Sequence, residues 1–205
     1  MADQFPLVAD HFNQPEDGIT ALHHLEGPWI LKLRYAGSDN ITGQPIYPFS
    51  GCFLRTGTAH KLYNAGIELQ QFGVTMVIWD GYRPSYAQHA LWKAAPDPAF
   101  VTPPETGSNH TRGAAVDLTL ADTSGYLLNM PTDFDDFSEK ASVDYPHLPK
   151  SIIDRRSLLQ SCMINNGFQL LQSEWWHFED TDWPNYPLFD VSFDQLEYQI
   201  TRSGS

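Results

Sequence analysis

The sequence predicts a single α+β domain spanning residues 1–205, with a largely antiparallel central sheet flanked by helices. Short runs rich in β-branched and aromatic residues mark strands. Longer stretches repeat their apolar residues at helical spacing. The two kinds of segment are mixed without the regular strand–helix–strand alternation of a parallel sheet.

In chain order, residues 29–35 alternate well enough for a half-buried strand. Residues 56–72 read as a helix, because Leu62, Ala65, Leu69 and Phe72 recur at helical spacing and Gly73 suits the stop. Residues 74–79 are β-branched and apolar, the mark of a buried strand. A helix is expected over 85–95, with Ser85 as its N-cap after Pro84. A strand follows at 114–120, then a helix over 151–166 closed by Gly167, then paired strands at 168–172 and 175–179. Segments 36–51, 95–109 and 121–150 are rich in Pro, Gly, Asp or Ser and read as loops. None reads as an interdomain linker, since apolar segments resume on both sides.

Composition narrows the function. With 41% hydrophobic and 18% charged residues, a chain of 205 residues can bury a sizeable core without disulfides. Its net charge of −13 argues against nucleic acid and against anionic membrane surfaces, both of which need clustered Lys and Arg. It says little about a small zwitterion. Cys52 and Cys162 lie far apart, match no metal or redox spacing, and are expected to be buried free thiols. The N-terminus has no basic and apolar signal pattern, and no apolar run is long enough to span a bilayer, so a cytoplasmic protein with no membrane partner is expected.

Three clusters carry chemistry. In the first, His110 and Asp117 are seven residues apart, which on an unbroken strand puts them on opposite faces. Gly113 between them can bend the chain so that both converge. An imidazole and a carboxylate are two-thirds of a catalytic zinc site. In the second, His177 can supply the third ligand, and Glu174 suits the base that takes a proton from the attacking water. Trp175 and Trp176 make its surroundings partly apolar, which raises a carboxylate pKa toward neutrality. In the third, Arg83 follows the strand 74–79 and suits the stabilisation of an oxyanion. Asp80 can pair with Arg83 or orient a ligand histidine. Each cluster alone has a bland structural reading, and the signal is that all three occur together. His11, His23, His24, His60, His89 and His147 lack such context and are assigned to surface or core roles.

Together these motifs, D-G-Y-R-P from Asp80, S-x-H-x-x-G-x-A-x-D from Ser108 and E-W-W-H from Glu174, resemble the VanX-type D-alanyl-D-alanine dipeptidases. Broader relatives of that family are the zinc D,D-carboxypeptidases and the hedgehog domain. The likeness covers roughly residues 28–190. It includes Tyr35-Ala36 with Asp39-Asn40-Ile41-Thr42-Gly43, the segment from Met130 to Asp135, and Gly167-Phe168. The resemblance implies one Zn2+ per chain held by His110, Asp117 and His177, with Glu174 as base and later proton donor, and Arg83 at the oxyanion. It implies that Ser108 meets the substrate carboxylate, that Asp135 faces the substrate ammonium and that Tyr35 joins the substrate contacts. The substrate so implied is the small dipeptide D-Ala-D-Ala. Pro131 stands where the family usually has Gly, Asn109 where Ser is common, and the segment from Arg83 to Ser108 is compact. Two rival expectations remain: a related zinc carboxypeptidase or endopeptidase acting on longer cell-wall peptides, and a zinc-bearing binding module without activity. The presence of both Glu174 and Arg83 argues against the second.

Overall fold

The computed structural model describes residue 15, residues 17–98 and residues 100–203, so His11 lies outside the described residues. The strands are β1 (Ile19–Ala21), β2 (Trp29–Leu31), β3 (Phe53–Arg55), β4 (Val74–Asp80), β5 (Ala115–Asp122), β6 (Phe168–Leu171) and β7 (Glu174–Asp180). The α-helices are α1 (Thr56–Gln71), α2 (Ser85–Ala94), α3 (Lys150–Asn165) and α4 (Phe193–Ser203). The main sheet has the order β2-β4-β5-β7-β6; β2 runs parallel to β4, and the other neighbours are antiparallel. The α+β class and the largely antiparallel sheet are as the sequence predicts. β1 and β3 form a separate antiparallel pair.

Apolar spacing explains α1. Leu62, Ala65 and Leu69 are fully buried, and the helix packs on β4 and α3. Truncating one of these leucines to Ala costs about 2–5 kcal/mol by the usual transfer and cavity terms. Gly66 lets the helix approach Pro28: a Cβ there would stand 2.6 Å from the proline ring. Phe72 departs from expectation and is 59% exposed. It is the C-cap, with φ −96° and ψ 8°, so it has left the helical phase that buries Leu62 and Leu69.

Most other ends shift by a residue or two, and two differences change local contacts. The strand expected over 29–35 ends at Leu31, and Arg34–Ala36 form a 3-10 turn. That turn lets Arg34 lie over Trp79 and Phe134 and reach Asp39 and Asp133, each at 3.2 Å. Ser85 is the first helical residue of α2 rather than its cap. Its N–H donates to Asp190 Oδ1 at 3.0 Å, so a distant carboxylate does the capping.

Two irregularities in the sheet set up the active face. Between β4 and β5, Ile78 pairs with Leu118 but Asp80 pairs with Asp117, so Trp79 is an extra residue. Between β6 and β7, Leu170 pairs with Phe178 but Leu171 pairs with Glu174, so residues 175–177 bulge. Asp117 pairs directly with His177 across β5 and β7. Asp80, Asp117 and His177 therefore form one row across three strands. The strands that carry the row also contribute Met76, Ile78, Trp175, Trp176 and Phe178 to the core, all nearly or fully buried.

Candidate active site

The loop before β5 delivers His110. Gly113 has φ +70°, a left-handed conformation that side chains disfavour, and its N–H donates to the His110 carbonyl at 2.9 Å. This tight turn brings His110 back over the strand that carries Asp117. The bend expected at Gly113 is thus present, and His110, Asp117 and His177 come together as predicted.

Their donor atoms all lie within 4.8 Å of one another, and all three residues are buried. His177 Nδ1 is 2.9 Å from Asp117 Oδ1, and His110 Nε2 is 3.4 Å from Asp117 Oδ2. The two imidazoles approach at 3.2 Å through His110 Nε2 and His177 Nδ1. His110 Nδ1 faces the Gly81 carbonyl at 2.7 Å, and His177 Nε2 faces Glu179 Oε1 at 3.4 Å. When those outer nitrogens donate, the inner ones present lone pairs to the same point as the carboxylate. Burial works against a charged His177, yet hydrogen bonds to Asp117 and Glu179 push its pKa up to about 10. Burial likewise opposes ionised Asp117, yet His110 and His177 hold it well below the usual carboxylate range. A cluster that draws a proton so strongly draws a cation to the same place, and two imidazoles with one carboxylate fit a zinc-type ion.

Arg83 is fixed before any ligand arrives. Its Nε and Nη2 donate to Asp80 Oδ2 at 3.0 and 2.7 Å, and its Nη1 donates to Gln88 Oε1 at 3.1 Å. Tyr47 donates its hydroxyl to the other Asp80 oxygen at 2.6 Å. Of the two roles open to Asp80, pairing with Arg83 is direct; His110 Nδ1 is 3.7 Å away. A guanidinium has five N–H donors, so two remain for a substrate.

Glu174, at the start of β7, is 8% exposed. Burial pushes its carboxyl up to about 7, with Asp117 and Asp135 adding to the rise and His177 and Arg83 opposing it. Asp135 adopts φ +58°, the only positive φ outside glycine among the described residues. Its oxygens accept from the Tyr35 hydroxyl and the Ile41 N–H, both at 3.1 Å, and burial pushes its carboxyl up to about 6. Pro131 does not prevent this placement. The Ser108 Oγ accepts from the Thr111 N–H at 3.2 Å and lies 3.1 Å from the Thr111 hydroxyl.

All eight predicted site residues, Tyr35, Arg83, Ser108, His110, Asp117, Asp135, Glu174 and His177, line one cavity of about 140 Å3. Its apolar wall includes Leu91, Val101, Trp176 and the stacked pair Phe100 and Phe137, whose rings are 4.5 Å apart. Three supporting residues escaped sequence reasoning. Glu179 sits two residues after His177 on the same strand face, a signal that was there to read. Gln88 and Tyr47 arrive from a helix and a loop with no local motif.

An α+β fold that gathers a three-donor metal cluster, a buried acid and a fixed guanidinium around one small cavity defines a metallohydrolase. The chain belongs to the D-ala-D-ala dipeptidase family, whose model matches residues 17–196. It is 41% identical over 163 residues to the D-alanyl-D-alanine dipeptidase of Escherichia coli (strain K12), covering 80% of this chain and 84% of that one. It is 30% identical over 194 residues to the D-alanyl-D-alanine dipeptidase of Enterococcus faecium, covering 83% of this chain and 96% of the relative. Among solved structures, the vancomycin resistance D,D-pentapeptidase VanY in complex with Zn(II) is a distant likeness, with TM-score 0.41 and 16% identity over 64% of this chain and 74% of its own.

Proposed function

We propose that the chain is a one-domain, zinc-dependent D-alanyl-D-alanine dipeptidase that releases two D-alanines. The observation that carries this reading is the sharing of one cavity of about 140 Å3 by the His110–Asp117–His177 cluster, Glu174, Arg83 and Asp135. That volume falls below the roughly 300–1,000 Å3 of pockets for drug-sized ligands, and it favours a small substrate over a longer wall peptide.

His110, Asp117 and His177 are the residues that hold zinc, one ion per chain. When bound, zinc supplies Lewis acidity toward the scissile carbonyl and toward water. Glu174 takes the proton of the attacking water; a carboxyl raised to about 7 can both accept and return a proton near neutral pH. The same group then protonates the departing amine. The two uncommitted N–H groups of Arg83 face the developing oxyanion, a contact worth about 3–4 kcal/mol in similar sites. Asp135, steadied by Tyr35 and the Ile41 N–H, meets the substrate ammonium. Ser108, whose Oγ already accepts the Thr111 N–H, donates its hydroxyl proton to the substrate carboxylate. A longer peptide has a neutral amide in place of the ammonium and leaves Asp135 unpaired, which is the basis for rejecting it.

We place the protein in the cytoplasm, where free thiols such as the buried Cys52 and Cys162 stay reduced. Among the described residues no helix is long and apolar enough to cross a membrane. The test is D-alanine release by the zinc-loaded protein from D-Ala-D-Ala, from N-acetyl-D-Ala-D-Ala and from a tripeptide ending in D-Ala-D-Ala. Cleavage of the free dipeptide alone is expected; equal cleavage of the blocked or longer substrates would move the protein to the wall-trimming class.

A further inference from the structure

A second group of metal-type donors stands where the 3-10 turn Leu22–His24 meets α4. His23 Nε2 lies 2.9 Å from Glu197 Oε2, and His24 Nε2 lies 2.7 Å from Glu197 Oε1. The three donor atoms are all within 4.8 Å of one another. The turn makes this possible by placing two consecutive histidines with their rings 4.4 Å apart and tilted by 56°. Both imidazoles thus direct the same ring nitrogen toward one carboxylate on a helix far along the chain.

Three further features suit a cation. The donor set, two imidazoles and a carboxylate, matches that of the buried cluster and selects transition metals over Ca2+ or Mg2+. His23 is held from behind: its Nδ1 lies 3.2 Å from the Cys52 nitrogen and 3.3 Å from the Cys52 carbonyl, and its ring meets Phe53 edge-on at 5.0 Å. The Cys52 N–H donates to this Nδ1, so the ring is already oriented with Nε2 toward Glu197. The group is also reachable from solvent, with side-chain exposures of 36% for His24 and 31% for Glu197, which leaves room for water to complete the coordination.

We propose that His23, His24 and Glu197 form a second binding site for a divalent transition metal, Zn2+, Cu2+ or Ni2+, which fastens α4 to the turn. With the metal bound, each imidazole carries its proton on Nδ1 instead of Nε2. For His23 the bond now donated by the Cys52 N–H to Nδ1 is exchanged for one from the Nδ1–H to the Cys52 carbonyl, 3.3 Å away, and no net charge change is needed at the rings. The clasp is structural. α4 begins with Phe193, buried against Tyr47 at 4.5 Å and Phe53 at 5.0 Å, so the metal joins the last helix to the body of the fold. None of the three ligands lines the active-site cavity.

The test uses the full chain, stripped by chelator and then dialysed against Zn2+. Wild-type protein is expected to retain a second equivalent of zinc, and His24→Ala and Glu197→Gln are each expected to retain one while still releasing D-alanine at the wild-type rate. Excess Zn2+ should raise the Tm of the wild type beyond its one-zinc value and leave that of both variants unchanged. In His110→Ala, Cu2+ should give an electron paramagnetic resonance spectrum with imidazole nitrogen couplings that disappears when His24→Ala is added. A wild-type protein that holds a single equivalent, or a second equivalent that persists in both His24→Ala and Glu197→Gln, would overturn the proposal and leave a plain histidine–glutamate hydrogen-bonded clasp.

Discussion

Replacing Asp135 by Asn removes a charge while nearly preserving shape. The Asn oxygen can still accept from the Ile41 N–H, and its amide can still meet the Tyr35 hydroxyl, the two partners that Asp135 holds at 3.1 Å. What disappears is the attraction for a substrate ammonium. At 4 Å and an effective dielectric of 20, that attraction is about 4 kcal/mol. The ammonium's lost hydration offsets part of it, and truncating one partner of a charged pair typically costs about 2–5 kcal/mol. A loss of about 3 kcal/mol corresponds to a fall of roughly 150-fold in kcat/KM. The wild type should show the same dependence through pH. Burial raises Asp135 to about 6, so the carboxylate is ionised above that pH and neutralised as pH falls through it. The α-amino group of the substrate, with a pKa near 8, stays protonated in that range. KM should therefore rise below pH 6 in the wild type and not in Asp135→Asn. The assay is D-alanine release between pH 5 and pH 8, with N-acetyl-D-Ala-D-Ala alongside. Discrimination against the blocked substrate should shrink with the charge. An Asp135→Asn enzyme with wild-type kcat/KM and undiminished discrimination would refute the assignment of the ammonium contact.

Other residues yield independent tests. Glu174→Gln should keep its metal by direct metal analysis yet lose about 10²–10⁴-fold in kcat, the range for a general base; near-normal turnover would remove Glu174 from the proton transfers. Arg83→Lys breaks the fork that grips Asp80 and Gln88 and should cost about 10²–10³-fold in kcat with little change in KM, read from steady-state kinetics. Glu179→Gln leaves the His177 imidazole with a weaker acceptor and should reduce zinc affinity about 10–100-fold in a chelator competition. His110→Ala should abolish zinc binding at the catalytic cluster and with it all activity, measured by dialysis and D-alanine release.

Much of this site could be read from the chain because its residues lie in short motifs beside strand ends. Asp117 and His177 fall within β-branched or aromatic runs, and Gly113 advertises the turn that carries His110. Asp135 is different. Nothing in its local sequence demands a carboxylate in left-handed backbone, and only the family resemblance pointed to it. Gln88 and Tyr47, which complete the cradle of Arg83, reach it from α2 and from the 36–51 loop, and no periodicity links such distant positions. β1 and β3 have three residues each, too few for an alternation to register. α4 carries signals that its sequence makes legible. Ser192 and Gln195 form a capping box, with the Ser192 N–H donating to Gln195 Oε1 at 3.1 Å and the Gln195 N–H donating to the Ser192 Oγ at 3.3 Å. Phe193, Leu196 and Ile200 follow at helical spacing and pack into the core.

The central claim is that the His110–Asp117–His177 cluster, loaded with metal, hydrolyses the free dipeptide. The direct measurement is D-alanine release from D-Ala-D-Ala while chelator-stripped protein is titrated with Zn2+. Activity should be absent without metal, rise in proportion to the added zinc and level off at one equivalent, with no response in His110→Ala. Full turnover by the metal-free protein, or zinc-dependent turnover that survives in His110→Ala, would contradict it.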